Sequence, residues 1–255
     1  MPKVFPHYWY NSQERSSPVV SNPGLLLDKY LPYRVDDQGT FLGYDSKEDQ
    51  TNHLQAVKKA NDEARDHYSD VIGEHQVFIE ALKRQGCVSP STITTRTIWV
   101  LSCDASRTSV VENGGLTFHP IYSFPYLKGE TLKGLASSVA PFEDERRDRV
   151  FGTTSSGAGS VEFLDAWPVV WPEILVMDSA VHYSTNLHDS SNPITYSYLV
   201  VAPGSSFQVI LKLRDSQQHK EDLDLAMGWL KKACTELGYG AKTGSAHGYM
   251  ELVGE

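Results

Sequence analysis

A glycine-rich segment with one lysine, residues 237–249, has the composition of an anion-binding loop. Glycine lets a backbone approach an anion closely and direct its N–H groups toward it, and Lys242 adds a positive charge. The segment is not a Walker loop, because Ala241 precedes the lysine and the predicted helix comes before the loop. We therefore expect phosphate contact without nucleotide hydrolysis. The candidate residues are Gly238, Gly240, Lys242, Thr243, Gly244 and Gly248.

The alternative for this segment is a helix cap followed by a tight turn into a last strand. That alternative accounts for Gly238 but leaves Gly244 and Gly248 unexplained.

A second candidate is the junction at residues 126–134, where glycines and lysines surround the expected start of a helix. Free amides and the partial positive charge of a helix N-terminus favour a phosphate, although ordinary helix capping is the alternative. The candidate residues here are Lys128, Gly129, Thr131, Lys133 and Gly134.

Other reactive side chains lack the spacing that catalysis or metal binding needs. Arg146, Arg147 and Arg149 alternate with acidic residues, which indicates a solvated helix turn or loop rather than a phosphate clamp. The serines of residues 152–159 do not form the Gly-x-Ser-x-Gly elbow of a hydrolase, and this segment is interpreted as a flexible loop. The histidines show no metal-binding spacing, so we expect neither a metal nor a cofactor. The histidines that could serve acid-base chemistry are His119, His182 and His247.

Composition limits the class of protein. A chain that is 40% hydrophobic and 22% charged is globular. Its apolar runs are far shorter than the roughly 20 residues of a membrane span, so we expect a cytoplasmic protein without a membrane partner. Three widely spaced cysteines are interpreted as reduced thiols. A net charge of −9 argues against a free-standing DNA-binding protein, but it permits RNA held inside a larger assembly.

The first 87 residues are predicted to form an arm and a helical region. Residues 1–45 contain one short apolar stretch at 24–30, with Leu25, Leu26, Leu27 and Tyr30. We expect this arm, and part of the apolar face of the helical region that follows it, to dock on a neighbouring protein. In residues 46–85 apolar positions recur every three or four residues, which predicts one long amphipathic helix or two that are broken near Gly73. Gly86 ends this pattern, and Pro90 prevents its resumption.

Residues 88–255 are predicted to form an α+β domain. The expected strands are 92–102, 160–166, 195–202, 207–213 and 249–253, and the expected helices are 131–139 and 223–237. The strands 195–202 and 207–213 are expected to form a pair around a turn at 203–206. This is the ferredoxin-like βαββαβ order, with both helices on one face of an antiparallel sheet and the other face open to a ligand.

Several segments in this order resemble the RAMP superfamily of CRISPR systems, and within it the sixth-subunit family of type III-B Cmr effector complexes. The similar segments are 24–32, 118–126, 127–134, 150–152, 160–168, 177–183 and 237–248. There are departures, since Glu130 stands where that family has a small hydroxyl residue and the stretch around Asp178 and His182 is shortened.

The resemblance implies a ferredoxin-like (RRM-like) RAMP fold with insertions and an N-terminal helical extension. It also implies a non-catalytic subunit that binds the 3′ part of a guide RNA, near the end of a subunit filament in antiviral defence. The implied partners are guide RNA, target RNA and the other subunits of the complex. The alternatives are a metal-independent RAMP endoribonuclease that uses His119, His182 or His247, and a structural cap that contacts only protein.

Overall fold

The structure is a computed structural model, and it describes residues 22–29, 34–35, 41–43, 47–86, 88–98, 116–155, 157–169, 174–182, 194–215 and 219–253. The helices are α1 (Pro23–Lys29), α2 (Lys47–Glu63), α3 (Arg65–Arg84), α4 (Gly129–Val139), α5 (Glu145–Phe151) and α6 (Glu221–Glu236), with a 3-10 turn at Thr243–Ser245. The strands are β1 (Arg34–Val35), β2 (Phe41–Gly43), β3 (Val88–Thr95), β4 (Gly152–Thr153), β5 (Gly157–Ala158), β6 (Val161–Phe163), β7 (Trp167–Pro168), β8 (Leu175–His182), β9 (Ile194–Val201), β10 (Ser206–Leu213) and β11 (Met250–Val253).

The central sheet is antiparallel and has the strand order β11-β3-β10-β6, with β7 also paired to β10. Along the chain its strands and the two helices that pack on it follow as β3, α4, β6, β10, α6 and β11. Ile93 of β3 lies between Phe207 of β10 and Leu252 of β11. The fold is therefore mixed α+β with antiparallel sheets, as predicted.

One face of the sheet forms the core with α4 and α6. Strand side chains alternate between faces, so Phe207, Val209, Leu211 and Leu213 of β10 share a face, and all four are buried. Helix α6 contacts β3, β6, β10 and β11, and α4 contacts both β6 and α6. This continuous apolar core fixes the two ends of α6 against the sheet.

The opposite face of the sheet is partly covered by α3, so the expectation of an open face was wrong there. Gln208 points to this second face and accepts a hydrogen bond from Gln76 Nε2 at 2.9 Å. Trp167 lies opposite Gln208, and its ring stacks on His75 with 4.1 Å between centroids. The Tyr68 hydroxyl donates to the backbone oxygen of Pro168. The helical region and the sheet therefore pack together.

The predicted pairing of the strands now labelled β9 and β10 was also wrong. Strand β9 pairs along its whole length with β8, which the sequence analysis did not identify, whereas β10 enters the central sheet. The turn between them is tied to the end of β3, because Gly204 N–H donates to the Thr95 carbonyl and Thr95 N–H donates to the Ser205 carbonyl. These bonds direct the chain from the β8–β9 hairpin into the central sheet.

Element boundaries differ from the sequence prediction at several places. The first sheet strand ends at Thr95 rather than at residue 102, and α4 begins at Gly129 rather than at residue 131. The break between the long helices falls at Ala64, while Gly73 lies inside α3. The first sheet strand begins at Val88 rather than at residue 92 and contains Pro90, which is tolerated because β11 pairs only with the far end of β3. Residues 152–159, interpreted as a flexible loop, contain the short pair β4 and β5.

The leucines of α1 pack inward rather than toward a neighbour. Leu26 and Leu27 are buried in the same core as Leu54 and Val57 of α2. Only Leu25 of this group is exposed, and Tyr30 lies outside the described residues. The predicted docking role of these leucines was therefore wrong for Leu26 and Leu27.

Candidate functional site

The glycine-rich loop connects the end of α6 to β11 and is closed by its own backbone. Tyr239 N–H donates to the Gly248 carbonyl at 2.7 Å, and Gly248 N–H donates to the Ile98 carbonyl at 2.9 Å. A Cβ on Gly248, whose φ is 75°, would overlap the Tyr239 backbone. Glycine is therefore required at 248 by close backbone approach rather than by an external anion.

Gly238 ends α6, as the capping alternative predicts. Its φ of 77° is the left-handed value typical of a residue after a helix end, and its N–H donates to the Ala233 carbonyl at 3.2 Å. Gly244, by contrast, lies in the exposed 3-10 turn beside Thr243, with no described residue within 4 Å of where a Cβ would be. The tip of the loop is therefore accessible to a ligand.

Lys242 lies at the base of this tip and contacts the β8–β9 hairpin. Its φ of 59° is unusual for a residue with a side chain, and its Nζ lies 4.0 Å from the centroid of the Tyr198 ring. The Tyr198 hydroxyl donates to Asp178 Oδ2 at 2.6 Å. His247 Nε2 lies 3.5 Å from the same oxygen, which is an ion-pair distance if the imidazole is protonated but too long for a strong hydrogen bond.

The Asp178 carboxyl beside this loop carries a negative charge at neutral pH. Burial raises its pKa, but the hydrogen bonds from the Tyr198 hydroxyl and the Ser179 N–H, together with the nearby His247, more than offset this effect and leave the pKa below its usual range. Positive and negative groups thus meet where the loop contacts the hairpin.

The start of α4 is already capped by this chain. Gly129 N–H donates to Asp165 Oδ1 at 2.8 Å, and Lys128 N–H donates to the Tyr239 hydroxyl at 2.9 Å. A carboxylate thus occupies the anion position that a phosphate would take at Gly129, which supports the capping alternative there. Tyr239 belongs to the glycine-rich loop, so the two predicted segments are brought together.

The side chains of the α4 segment differ in what they can contribute. Lys128 Nζ lies 3.8 Å from Glu130 Oε1, so the residue that departs from the family pattern partly neutralises this lysine. Thr131 and Lys133 are half-buried on α4, and Gly134 is exposed. Lys133 and Lys242 therefore remain the side chains best suited to a phosphate.

The arginine trio was predicted to be solvated, but two of the three are half-buried. Arg147 lies over the Phe142 ring, and Arg149 reaches α6. Arg149 Nε donates to Asp222 Oδ2 at 2.9 Å, and Asp222 is fully buried on α6. Arg149 therefore joins α5 to α6. Arg146 instead pairs with Asp144 at the surface.

The histidine candidates are not brought into one site. His119 Nδ1 accepts N–H groups from Ile121 and Tyr122, and burial lowers its pKa, so it is a neutral structural residue. The His182 backbone pairs with Ile194 in the hairpin. Among the residues that the structure describes, no group of three or more His, Cys, Asp or Glu side chains could hold a metal ion.

Sequence reasoning missed Tyr198, Tyr239 and Asp165. Tyr239 stands between two predicted loop glycines, so its place in the segment was a usable signal. Tyr198 and Asp165 are distant in sequence from the residues they contact, and nothing in their local pattern indicates those contacts.

The described part of the chain has no helix that is both long and apolar enough to cross a membrane.

The chain is similar in sequence to proteins of a known superfamily. The family model of the RAMP superfamily matches residues 87–251. The chain is similar to the CRISPR system CMR subunit Cmr6 of Saccharolobus solfataricus, with 24% identity over 165 residues that cover 63% of this chain and 56% of that protein. The chain thus spans little more than half the length of this curated relative.

One solved structure indicates a similar fold. A chain in the cryo-EM structure of type III-B Cmr-beta bound to cognate target RNA has a TM-score of 0.61 and 19% identity, with 80% of this chain and 75% of that chain covered. The crystal structure of Cmr6 from Pyrococcus furiosus has a TM-score of 0.41 and 18% identity, with 65% of this chain and 98% of that chain covered. The superfamily match extends from the start of β3 into β11 and includes the glycine-rich loop, and on this evidence the chain belongs to the RAMP superfamily.

Proposed function

We propose that this chain is a non-catalytic subunit of a type III-B CRISPR RNA-guided effector complex. In this proposal it binds the 3′ part of the guide RNA through the RNA backbone and caps the subunit filament. Membership of the RAMP superfamily supports the proposal, as does the similarity to a subunit named Cmr6. The structural likeness to a chain of a Cmr-beta complex bound to target RNA is consistent with target RNA as a partner.

The observation that carries the proposal is the junction between the glycine-rich loop and the start of α4. The hydrogen bond from Lys128 N–H to the Tyr239 hydroxyl joins the two segments, and each segment supplies a lysine, Lys133 or Lys242. Phosphate contacts carry no base information, and a guide RNA must vary in sequence. A site built from lysines and an exposed glycine turn suits such a ligand.

The proposal includes a ferredoxin-like core at residues 88–255, with the loop at 238–248, and an N-terminal helical region at 1–87. The order β3, α4, β6, β10, α6, β11 supports the core assignment because it follows the βαββαβ pattern. The β8–β9 hairpin is then an insertion between β6 and β10.

The test is filter binding of the assembled complex with several guide RNAs of unrelated sequence. We expect Lys133→Ala with Lys242→Ala to weaken binding similarly for all of them and to lower the salt slope by about one for each phosphate that is no longer bound. Lys59→Ala with Lys83→Ala removes the same charge from α2 and α3 and should change neither quantity. A loss confined to one RNA sequence, or no loss at all, would count against the loop as a backbone-binding site.

The rival function is a metal-independent endoribonuclease, and the 3.5 Å approach of His247 to Asp178 is the observation that favours it. Incubation of the purified chain with repeat RNA and with target RNA separates the two functions, and we expect no cleavage. Specific products that disappear on His247→Ala would establish the endoribonuclease. Assembly with partner subunits but without any RNA contact would instead indicate the structural cap.

A further inference from the structure

Lys242 is held from two sides before any ligand is present. Its carbonyl accepts the Ser245 N–H at 2.8 Å and the His247 N–H at 3.3 Å, which fixes the backbone of the 3-10 turn. Its ammonium lies 4.0 Å from the centroid of the Tyr198 ring. A residue with a side chain keeps a left-handed backbone conformation only where its surroundings restrain it. The hydrogen bonds to the Lys242 carbonyl and the contact with the Tyr198 ring supply that restraint.

The Tyr198 ring is itself immobilised within the hairpin. Tyr198 is buried with Val200 in a small apolar cluster to which Ile98, Val176 and Ala180 contribute. Its hydroxyl donates to Asp178 across the β8–β9 pair. The ring is therefore a rigid surface for the ammonium, and the attraction of a cation to an aromatic face fixes the direction of an otherwise flexible side chain.

We infer that Tyr198 is a positioning residue that holds the Lys242 ammonium for RNA phosphate where the glycine-rich loop contacts the β8–β9 hairpin. This inference rests on the proposed function. A free lysine side chain loses rotamer entropy when a ligand fixes it, and a lysine that is already restrained loses less. Tyr198 itself, being buried, acts on RNA only through Lys242.

The experiment compares Tyr198→Leu, which removes the ring, with Tyr198→Phe, which retains the ring and loses only the hydroxyl. In filter binding of the assembled complex, Tyr198→Leu should weaken RNA binding by about two- to fivefold, whereas Tyr198→Phe should keep most of the affinity. In a Lys242→Ala background, Tyr198→Leu should cause no further loss, since the group that it positions is gone. Thermal melting of each variant confirms that the variants are folded.

A second measurement tests the contact without RNA. The ε-methylene resonance of Lys242 in the purified full chain should show an upfield ring-current shift that persists in Tyr198→Phe and disappears in Tyr198→Leu. Absence of the shift in the parent overturns the inference whatever the RNA result. An additive loss in the double variant, or equal losses for Tyr198→Leu and Tyr198→Phe, overturns it too.

The same variants distinguish this inference from the proposed function. If Lys242→Ala weakens RNA binding and Tyr198→Leu does not, the loop binds RNA but Tyr198 does not position it. The proposed RNA site itself is wrong if RNA binding is unchanged in Lys242→Ala, in Tyr198→Leu and in the double variant that combines Lys133→Ala with Lys242→Ala.

Discussion

Asp222 is the most buried acidic residue among the ion pairs of the described chain. Its carboxylate accepts hydrogen bonds from Arg149 and, at 2.6 Å, from the Ser160 hydroxyl. Burial raises its pKa, but these hydrogen bonds and the arginine charge more than offset that effect and lower the pKa. The carboxylate thus joins α6, α5 and the segment before β6 as a charged group.

We predict that Asp222→Ala destabilises the protein by about 3 kcal/mol, because it leaves a half-buried guanidinium and a hydroxyl without their acceptor. Glu221→Gln is the matched control, since Glu221 lies 3.4 Å from the same Arg149 but is largely exposed. We expect Glu221→Gln to lower the free energy of unfolding by less than about 1 kcal/mol. Urea denaturation measures the free energy of unfolding of both variants. Equal losses of this free energy would show that burial is not what gives the Asp222 pair its strength.

His53 on α2 makes the stability of the protein depend on pH below about 6.5. Burial lowers the pKa of its imidazole from 6.5 to about 4, and a hydrogen bond with the Leu26 backbone only partly opposes this. The unfolded chain therefore binds a proton at His53 more readily between these two values. Stability consequently falls as pH drops from about 6.5 to about 4, with no further loss from this group below that range.

We predict that His53→Leu reduces the decline in melting temperature between pH 7 and pH 4. Burial also lowers the pKa of His75 and His119, so part of the decline should remain. Identical pH profiles for the parent and His53→Leu would contradict the assignment to His53.

At the scale of elements, α4 carries two glycines whose surroundings differ. A Cβ on Gly129 would overlap the Phe163 carbonyl, because the helix begins directly against the end of β6. Gly134 lies one and a half turns later on the same helix, and no described residue comes within 4 Å of its Cβ position. The first glycine permits helix–strand contact, whereas the second only weakens the helix.

We therefore predict opposite signs for two substitutions in one helix. Gly129→Ala should destabilise by about 2 kcal/mol or more, since backbone must move to admit the methyl group. Gly134→Ala should stabilise by up to about 1 kcal/mol through helix propensity. Thermal melting compares them, and a stabilising Gly129→Ala would mean that α4 and β6 are not in close contact.

The elements that depend on local pattern were predicted, and those that depend on distant partners were not. The three- and four-residue spacing of Leu223, Ala226 and Leu230 identified α6, and Gly238 identified its end. The apolar alternation of β9 and β10 identified two strands but not their partners, because a strand pairs through its edges and residue types hardly specify which neighbour fills them. The same reasoning explains how the loop at 238–248 was found while Tyr198 was missed.

At the scale of the whole molecule, the helical region and the α+β region share one apolar core. Leu27 of α1, Val57 of α2 and Phe118 near the central sheet belong to the same buried cluster. Whether residues 1–87 and 88–255 are separate domains stays a prediction, but the shared core indicates that each region contributes to the stability of the other.

Truncation tests this dependence. Removal of residues 1–45 deletes α1 and the buried Leu26 and Leu27, so we expect a loss of several kcal/mol, at about 2 to 5 kcal/mol for each well-buried leucine. Removal of residues 1–21, which include no residue of the described core, is the comparison truncation. The outcome that contradicts a shared core is an unchanged melting temperature for the longer truncation.

The place of β3 between β10 and β11 has a consequence for the time course of synthesis. Strand β3 leaves the ribosome well before its two neighbours, which begin at Ser206 and Met250. At roughly 5–20 residues per second, β3 stays without β10 for on the order of ten seconds and without β11 for longer still. Pairings this distant in sequence also form slowly because a long loop must close first. The nascent chain therefore holds α2, α3 and β3 with uncovered apolar surfaces until β10 and β11 have been made, and this interval is where chaperone binding or aggregation competes with folding.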